Sequence, residues 1–247
     1  MVRIGIAGAC GKMGRRIAVL AAADPEIKII SALEKEDSPE KGKDLGDVIG
    51  AGKMDVPVMT GTDEALRDTE CLVDFTLPGS TLEHVAVCRE KKVPMVIGTT
   101  GLGEEAEDVI GEASKEIPIV FSPNMAIGVN VLFNIVSEAA RVLGRDFSIK
   151  VDETHHVHKK DSPSGTAKMI AKIIREASGV DAPVKAFREG EVIGNHGIVF
   201  DGEYENLEIR HDAKSRDVFA AGAIKAAKFV VGKKPGLYNM TDVLGLR

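Results

Sequence analysis

The first 124 residues alternate short apolar runs with stretches of helical periodicity, and this alternation constrains the fold more than any other feature of the chain. It begins with "VRIGIAG" (2–8), continues with the helical pattern "KMGRRIAVLAAA" (12–23) and returns to a strand pattern at "IKIISALE" (27–34). Four more apolar runs follow, mostly separated by helical patterns: "VPVMT", "CLVDFTLP", "PMVIGTT" and "IPIVFSPN". Because parallel strands need long crossover connections, the pattern predicts an α/β domain with a doubly wound parallel sheet covered on both faces.

The order of predicted strands and helices changes after Asn124. The long apolar pattern at 126–144 predicts a largely buried helix, "FSIKVDETHH" (147–156) predicts a strand, and a second helix is expected over 164–178. Two strand-like runs follow, "GNHGIVFDG" and "ENLEIRHDA", and the chain closes with a small-residue helix at 218–232 and a tail. We therefore expect a second α+β domain with an open mixed sheet.

Composition excludes several classes of protein. A chain of 247 residues has room for two domains, and its formal net charge of -6 lacks the basic footprint of a nucleic-acid-binding protein. No apolar run approaches the roughly 20 residues of a membrane span, and the first residues lead into a strand without a signal-peptide pattern. We expect a cytoplasmic protein with no nucleic-acid and no membrane partner.

The three cysteines do not form a recognisable site. Cys10, Cys71 and Cys88 are too widely spaced for a zinc knuckle, and we expect free thiols.

Three glycines mark the turn after the first strand, in the sequence "GACGKMG". Gly8, Gly11 and Gly14 form a G-x-x-G-x-x-G pattern, with Cys10 at the position where the usual fingerprint has its second glycine. Such glycines let the backbone approach a pyrophosphate whose charge then lies at the N-terminus of the following helix. The turn predicts dinucleotide binding, with an ordinary tight turn as the alternative and Cys10 as a small neutral filler.

The second predicted strand ends in Glu34 and Lys35, 26 residues after Gly8. A carboxylate at this position can accept the ribose hydroxyls of NAD, whereas a cation can meet the 2′-phosphate of NADP. Having both side chains predicts that NADH or NADPH can serve, and the alternative is a solvated charged pair. The loops "GTTG" (98–101) and "SPNM" (122–125) close two further strands and should line the same cleft, although plain helix caps would look similar.

The segment "DETHHVHKKDSPSGT" (152–166) holds three of the six histidines. Side chains alternate along a strand, so His156 and His158 should face one way and His155 the other, and two adjacent lysines would repel a metal ion; no metal site is therefore predicted. Backbone amides at the start of the next helix and a nearby lysine instead suit a carboxylate, and a histidine beside them suits proton transfer. His196 and His211 are either structural or cleft-facing, and His84 is expected at the surface or in the core.

Taken together, "GACGKMG", "ALEKE", "VDFTLP", "VIGTTG", "GVNV" and above all "HHVHKKDSPSGTA" resemble the 4-hydroxy-tetrahydrodipicolinate reductase (dihydrodipicolinate reductase) family from residue 2 to the closing "MTDVLGL". The resemblance implies a Rossmann-like dinucleotide-binding domain at 1–126, a substrate-binding and oligomerisation domain at 127–214, and a C-terminal segment, 215–247, that returns to the first domain. It also implies a homotetramer that reduces a small-molecule dicarboxylate in the diaminopimelate route to lysine, by loss of water, hydride transfer to C4 and protonation.

The resemblance also assigns roles to individual residues. It implies that His155 donates or accepts the proton and that Lys159 is the second catalytic group. Substrate binding would fall to His156, Gly165 and Thr166. Cofactor contacts would be Gly8, Ala9, Cys10, Gly11, Lys12, Met13, Glu34, Lys35, Gly98, Thr99, Thr100, Ser122, Pro123, Asn124 and Met125.

The chain departs from the family pattern at two places, and two other functions remain as alternatives. Cys10 stands where many family members have a small residue or glycine, and the stretch between "REG" (188–190) and "GNHG" (194–197) is short. A nucleotide-sensing regulatory protein on the same scaffold would not need Lys159, and a metal hydrolase would need a bound metal. His158 receives no role.

Overall fold

The computed structural model describes residues 1–246, which fall into two compact units. The first unit comprises Met1–Met125 and Phe219–Gly245, and the second is formed mainly by Ala126–Val218. In chain order the elements begin with β1 Val2–Ala7, α1 Lys12–Ala22, β2 Ile27–Leu33, α2 Leu45–Ile49, β3 Val58–Met59, α3 Thr62–Ala65, β4 Cys71–Asp74, α4 Pro78–Lys91, β5 Met95–Ile97, α5 Glu104–Ser114 and β6 Pro118–Phe121. They continue with α6 Ile127–Leu143, a short 3₁₀ turn Gly144–Asp146, β7 Ser148–His155, α7 Gly165–Ser178, β8 Val184–Arg188, β9 Asn195–Asp201, β10 Asn206–Asp212, α8 Asp217–Val230, β11 Gly236–Tyr238 and α9 Met240–Leu244.

A seven-stranded sheet organises the first unit. Its order is β11-β6-β5-β4-β1-β2-β3, and every neighbouring pair is parallel. The strands consist largely of buried aliphatic residues, as expected for a sheet that helices cover on both faces. The predicted doubly wound sheet is confirmed. Strand order reverses between β1 and β4, and ligands of such sheets bind in the crevice outside the carboxyl ends of the strands at this point.

The second unit contains a four-stranded mixed sheet in the order β10-β9-β7-β8. β7 pairs in antiparallel fashion with β9 and in parallel with β8, which confirms the predicted mixed sheet. One face of the sheet packs on α6 and α7 through an apolar core that includes Leu132, Val136, Ile170, Ile174 and Phe200. Because strand side chains alternate, the inward positions of β7 are Ile149, Val151, Glu153 and His155, all of them buried.

Sequence patterns missed four short elements. Helix α2 has five residues and lies inside the polar stretch that we expected to be a loop, and α9 also has only five residues. Strand β11 has three residues and adds to the edge of the seven-stranded sheet, within the segment expected to be a tail. Strand β8 is an edge strand whose side chains alternate between half-buried and exposed, so it lacks a continuous apolar run.

Helix α6 and the 3₁₀ turn after it are long and apolar enough, by length and composition, to cross a membrane. A core helix passes the same test. In the second unit, one side of α6, with Leu132, Val136 and Ala140, packs into the apolar core beside the four-stranded sheet and α7. Its other side is open, with Ile135 and Val142 exposed, so the prediction of a largely buried helix is wrong: the helix is apolar on more than the one face that the unit covers.

Candidate active site

The glycine turn between β1 and α1 is a tightly packed backbone cradle. Gly8 has φ +72, and a Cβ there would lie 2.7 Å from the carbonyl oxygen of Phe75. A Cβ at Gly14 would lie 1.9 Å from the Gly8 oxygen, and one at Gly11 would lie 3.2 Å from the same atom. Close backbone approach thus requires glycine at positions 8 and 14, and a side chain at Gly11 would be tight. Gly11 is the residue before α1, so the N-terminus of this helix opens on the turn, and helix N-termini in general favour anions.

Glu34 is held against this cradle, whereas Lys35 extends into solvent. The Glu34 carboxylate accepts a hydrogen bond from the Cys10 backbone amide at 3.2 Å. The Lys35 side chain is 69% exposed, and its ammonium lies 3.1 Å from a carboxylate oxygen of Asp37. The two charges that sequence analysis placed together therefore have different surroundings.

Cys10 is a protonated thiol at neutral pH. Burial, followed by the negative charge of Glu34, raises the pKa of its thiol to about 11. The side chain is half-buried and has no disulfide partner, and Cys71 and Cys88 are also free. Cys10 consequently behaves as the neutral filler that the sequence suggested.

A buried carboxylate organises the loops at the ends of β4 and β5. Asp74 is fully buried and accepts hydrogen bonds from the Thr76 and Thr81 hydroxyls at 2.7 and 3.2 Å. It also accepts one from the Thr99 hydroxyl at 3.1 Å, and His84 Nδ1 lies 2.7 Å from its other oxygen. His84 is therefore a core residue that anchors Asp74. Through this network Thr99, one of the predicted cofactor contacts, is fixed in place.

The remaining predicted cofactor contacts differ in burial. Gly98 is closed in by the Phe75 ring, which a Cβ there would meet at 2.1 Å, and the Ser122 hydroxyl donates to the Asn124 carbonyl at 2.9 Å. Ala9, Gly98, Ser122 and Met125 are buried, Met13 and Asn124 are half-buried, and Lys12, Thr100 and Pro123 are exposed.

In the second unit, a row of polar side chains crosses the helix-covered face of the four-stranded sheet. His155 is opposite Arg188 of β8, Glu153 is opposite His196 of β9, and His196 is opposite His211 of β10. The His155 and His196 rings meet edge to face with centroids 5.3 Å apart, and those of His196 and His211 are 6.3 Å apart. The row thus collects three histidines that are separated by up to 56 positions in the chain.

The protonation of His155 is set by opposing neighbours. Burial lowers the pKa of its imidazole below the ordinary value, and Lys159 and Arg188 lower it further, while Glu153 raises it by hydrogen bonding and charge. Burial also acts to raise the pKa of Glu153, but hydrogen bonds from His155, the Ser164 amide and Arg188 keep it below its ordinary value. His155 is therefore a largely neutral base beside an ionised carboxylate, which suits proton transfer near neutral pH.

The loop after β7 carries the other residues singled out by the sequence. β7 ends at His155, so strand alternation does not extend through the histidines, and the His156 and His158 rings lie 6.2 Å apart. His158 is 75% exposed, near Glu191. The Lys159 ammonium lies 2.8 Å from an Asp161 carboxylate oxygen. Gly165 and Thr166 lie in the first turn of α7, and the hydroxyl of Ser164, the residue before the helix, accepts a hydrogen bond from the Ala167 amide at 3.2 Å.

Sequence reasoning missed Glu153 and Arg188, which hold this site together. Glu153 had a readable signal, since it occupies an inward position of a strand that otherwise buries aliphatic residues, and a buried carboxylate there implies specific partners. Arg188 had none, because β8 itself was not predicted. Asp74 was likewise passed over inside the "VDFTLP" run, although it is the one charged residue there.

His196 makes the stability of the protein sensitive to acid. Burial first, and then the charges of His155 and His211, lower the pKa of its imidazole from 6.5 to about 4. Between pH 6.5 and pH 4 this histidine is protonated in the unfolded chain but neutral in the folded chain. The free energy of unfolding is therefore unaffected by His196 above pH 6.5 and decreases as the pH falls towards 4. The contribution lost is on the order of 3 kcal/mol.

The His196→Leu variant tests this acid sensitivity. Neither ring nitrogen of His196 has a hydrogen-bond partner among residues 1–246, so leucine removes the titration without breaking a hydrogen bond. Denaturant unfolding at pH 7.5 and 4.5 should show a smaller loss of stability in this variant than in the wild type, and the exposed His158→Leu variant should match the wild type. An unchanged pH dependence in His196→Leu would contradict the assignment.

Comparison with known proteins agrees with this architecture. The family model for the N-terminus of dihydrodipicolinate reductase matches residues 2–125, and that for the C-terminus matches residues 128–244. Relatives named 4-hydroxy-tetrahydrodipicolinate reductase include one from Trichlorobacter lovleyi, 39% identical over 100% of both chains, and one from Nitrosospira multiformis, 40% identical over 100% of this chain and 98% of the relative. Among solved structures, a dipicolinate-bound dihydrodipicolinate reductase from Paenisporosarcina has the same fold, with a TM-score of 0.83 and 24% identity over 98% of each chain.

A parallel sheet with a glycine cradle, joined to a unit with a buried histidine–carboxylate pair, is the organisation of an oxidoreductase that uses a dinucleotide. With both of its halves matched and relatives similar over their full length, the chain belongs to the dihydrodipicolinate reductase family. The family resemblance predicted from the sequence motifs is confirmed.

Proposed function

We propose that this chain reduces 4-hydroxy-tetrahydrodipicolinate to tetrahydrodipicolinate, with NADH or NADPH as the hydride donor, in the diaminopimelate route to lysine. The observation that carries the proposal is the buried His155, whose Nδ1 is bonded to Glu153 so that Nε2 is left for proton transfer. Family membership supports the same reaction, because the curated relatives bear the name of this reductase.

The first unit fits a nicotinamide dinucleotide. Backbone at Gly8 and Gly14 is packed so closely that a Cβ would clash with it, which supports a tight phosphate-binding turn with a pyrophosphate at the N-terminus of α1. We assign the ribose end to Glu34 and Lys35, and the nicotinamide end to Gly98, Thr99 and Thr100 with the segment 122–125. When bound there, the reduced cofactor supplies the hydride.

We assign proton transfer to Nε2 of His155. With Glu153 ionised, Nδ1 carries the hydrogen of the neutral imidazole, and Nε2 can take up a proton and return it. A proton held at Nε2 can be donated either to the 4-hydroxyl group as it leaves as water or to the carbon next to C4 after hydride transfer. Lys159 is the second catalytic group, and its positive charge stabilises negative charge that develops on the substrate.

We assign the substrate carboxylates to His156, Gly165 and Thr166. The free backbone amides of the first turn of the 14-residue helix α7 suit an anion at its N-terminus, and Lys159 and Lys160 carry positive charge in the segment that leads into the helix. A dicarboxylate satisfies both the helix terminus and the cations. The dipicolinate found in the solved relative is a dicarboxylate of this kind.

Steady-state assays test the proposal directly. Purified protein should oxidise NADH and NADPH only when freshly prepared 4-hydroxy-tetrahydrodipicolinate is present, with an assay lacking this substrate as the control. Absence of substrate-dependent oxidation with either cofactor would refute the proposed function.

Cofactor preference should respond to the two residues at the end of β2. Removing the exposed cation in Lys35→Ala should lower kcat/KM for NADPH about fivefold relative to NADH, because a solvent-screened contact with the 2′-phosphate is lost. Glu34→Gln should shift the preference towards NADPH, since a negative charge beside the cradle is removed. Kinetics with both cofactors measure the ratio, and Lys53→Ala, an exposed lysine paired with Asp55, serves as the matched control. If the ratio of kcat/KM for the two cofactors were unchanged in both variants, Glu34 and Lys35 would not be part of the ribose site.

We also propose that the enzyme is a homotetramer acting in the cytoplasm. The sheet face turned away from α6 and α7 carries Phe187, which is 51% exposed, and the half-buried Val199 in an open depression of about 380 Å³. Burial of this face between subunits would remove apolar surface from water. Sedimentation equilibrium should give four times the mass of one chain, and a monomer would contradict the assembly.

A further inference from the structure

We propose that Glu153 is the positioning residue of the active site, and that its single carboxylate fixes both the tautomer of His155 and the first turn of α7. The inference rests on the proposed function, in which His155 transfers the proton and α7 binds the substrate carboxylates. It adds a residue to the machinery that neither the motif nor the family resemblance assigned.

Glu153 is buried in surroundings where an ionised carboxylate would destabilise the folded protein. Its side chain is fully inaccessible, at an inward position of β7 between Val151 and His155. An ionised group in such surroundings is stable only when its oxygens are fully hydrogen-bonded. The side chain is therefore retained for the partners that it holds and not for packing alone.

Both carboxylate oxygens are engaged, each on a different side of the site. Oε2 faces Nδ1 of His155 within hydrogen-bonding distance. Oε1 accepts from the Ser164 backbone amide at 3.1 Å and from Nη1 of Arg188 at 3.1 Å. Arg188 also donates to the backbone carbonyl of Asp161, so the loop between β7 and α7 is tied to the same group.

The bond to Nδ1 determines which nitrogen of His155 is available for chemistry. An ionised carboxylate can only accept a hydrogen bond, so Nδ1 must carry the hydrogen and Nε2 must present its lone pair. Gly194 lies on that side of the ring, and because a Cβ there would come within 2.9 Å of Nε2, a glycine at this position keeps a side chain off that nitrogen. The imidazole is consequently held in one orientation.

The charged and titratable neighbours of His155 come from every element around it. Glu153 on β7 favours the protonated imidazole, whereas Arg188 on β8 and Lys159 in the following loop oppose it. His196 on β9 meets the ring edge to face and is neutral above about pH 4. Glu153 is therefore the one negative charge acting on His155 in this set, and its removal should make the imidazole harder to protonate.

The bond to Ser164 extends the influence of Glu153 to the substrate end of the site. Ser164 is the residue that precedes α7, and its hydroxyl accepts from the Ala167 amide, so its orientation sets the direction of the first helical turn. Gly165 and Thr166 follow directly. One carboxylate thus links the proton-transfer group to the proposed anion site, as an outer partner of functional residues commonly does.

The Glu153→Gln variant tests the inference, with two readouts. Glutamine keeps the size and can still accept from the Ser164 amide, but its amide group would face Nδ1 as a donor and reverse the tautomer of His155. We expect kcat to fall by about 10²- to 10⁴-fold, as when an orienting carboxylate of a catalytic histidine is neutralised. The acid limb of the pH profile of kcat/KM should move to lower pH. Nitrogen chemical shifts of histidine-labelled protein should show the hydrogen of His155 moving from Nδ1 to Nε2.

Matched variants separate positioning from a general structural role. Asp152→Asn changes the adjacent carboxylate of β7, which faces the opposite side of the sheet near Gly197, and it should leave the tautomer and the pH profile unchanged. Glu153→Asp keeps the charge and should restore part of the lost kcat together with the wild-type tautomer.

The outcomes distinguish this inference from the proposed function. If the wild type is active but folded Glu153→Gln keeps the Nδ1–H tautomer and the wild-type pH profile, the positioning role is wrong and the function stands. If the tautomer reverses but the wild type does not reduce the substrate, the positioning role stands and the proposed function fails. Should Glu153→Gln not fold, the wild-type spectrum alone decides, because a hydrogen on Nε2 of its His155 would overturn the inference.

Discussion

Replacing His155 with asparagine should lower kcat by about 10²- to 10⁴-fold, the usual contribution of a general acid or base. Asparagine retains a hydrogen-bonding group for Glu153 but cannot carry a proton at the position of Nε2. The KM for NADH should change little, because the residues assigned to the cofactor lie in the other unit of the chain. Steady-state kinetics of the purified variant measure both constants.

His158→Asn is the matched control for this experiment. His158 belongs to the same histidine-rich segment, but its side chain is 75% exposed and its charged neighbour, Glu191, is exposed as well. Its kcat should stay within about twofold of the wild-type value, as expected for a surface substitution away from the site. A His155→Asn enzyme with wild-type kcat, or a large loss in His158→Asn, would contradict the assignment of the proton to His155.

Replacing Gly14 with alanine should disrupt the cofactor site from within. The new Cβ would lie 1.9 Å from the Gly8 oxygen and 2.7 Å from the Ala9 Cα, and both are backbone atoms that cannot turn away. We expect the free energy of unfolding to fall by about 2–4 kcal/mol and the Kd for NADH to rise at least about tenfold, because the turn must open to admit the methyl group. Denaturant unfolding and fluorescence titration with NADH measure the two effects.

Gly111→Ala is the same substitution at a position where the structure predicts an increase in stability and not a decrease. Gly111 lies inside α5, and a Cβ there would meet nothing within 4 Å. Because alanine is the better helix former, stability should rise by about 1 kcal/mol with no change in the Kd for NADH. If Gly14→Ala were as stable as Gly111→Ala and bound NADH normally, the close packing of the cradle would be refuted.

The glycine turn illustrates what the sequence alone can predict. Glycine spacing is local, the turn joins a strand and a helix that are each recognisable by period, and the backbone contacts at Gly8 and Gly14 follow from that geometry. The doubly wound sheet was predictable for the same reason, since it follows from continuous apolar strands separated by helices. Its edge strand β11 was not, because three residues carry no usable pattern.

The polar row of the second unit shows where sequence reasoning ends. His155 is recognisable within its motif, but Arg188 reaches Glu153 from 35 positions away, on a strand whose pattern does not distinguish it from a loop. Register between strands brings His196 and His211 into the same row, and register depends on tertiary pairing. The network around Asp74 is of the same kind, because Thr99 joins it from the loop after a neighbouring strand.

Transfer of deuterium from labelled cofactor to product tests the central claim most directly. Wild-type enzyme should be supplied with NADH carrying deuterium at the transferable position and with freshly prepared 4-hydroxy-tetrahydrodipicolinate, and the product should be examined by mass spectrometry and NMR. The proposed reaction predicts one deuterium at C4 of tetrahydrodipicolinate for each NADH oxidised. NADH left unoxidised, or a product with no deuterium at C4, would contradict it.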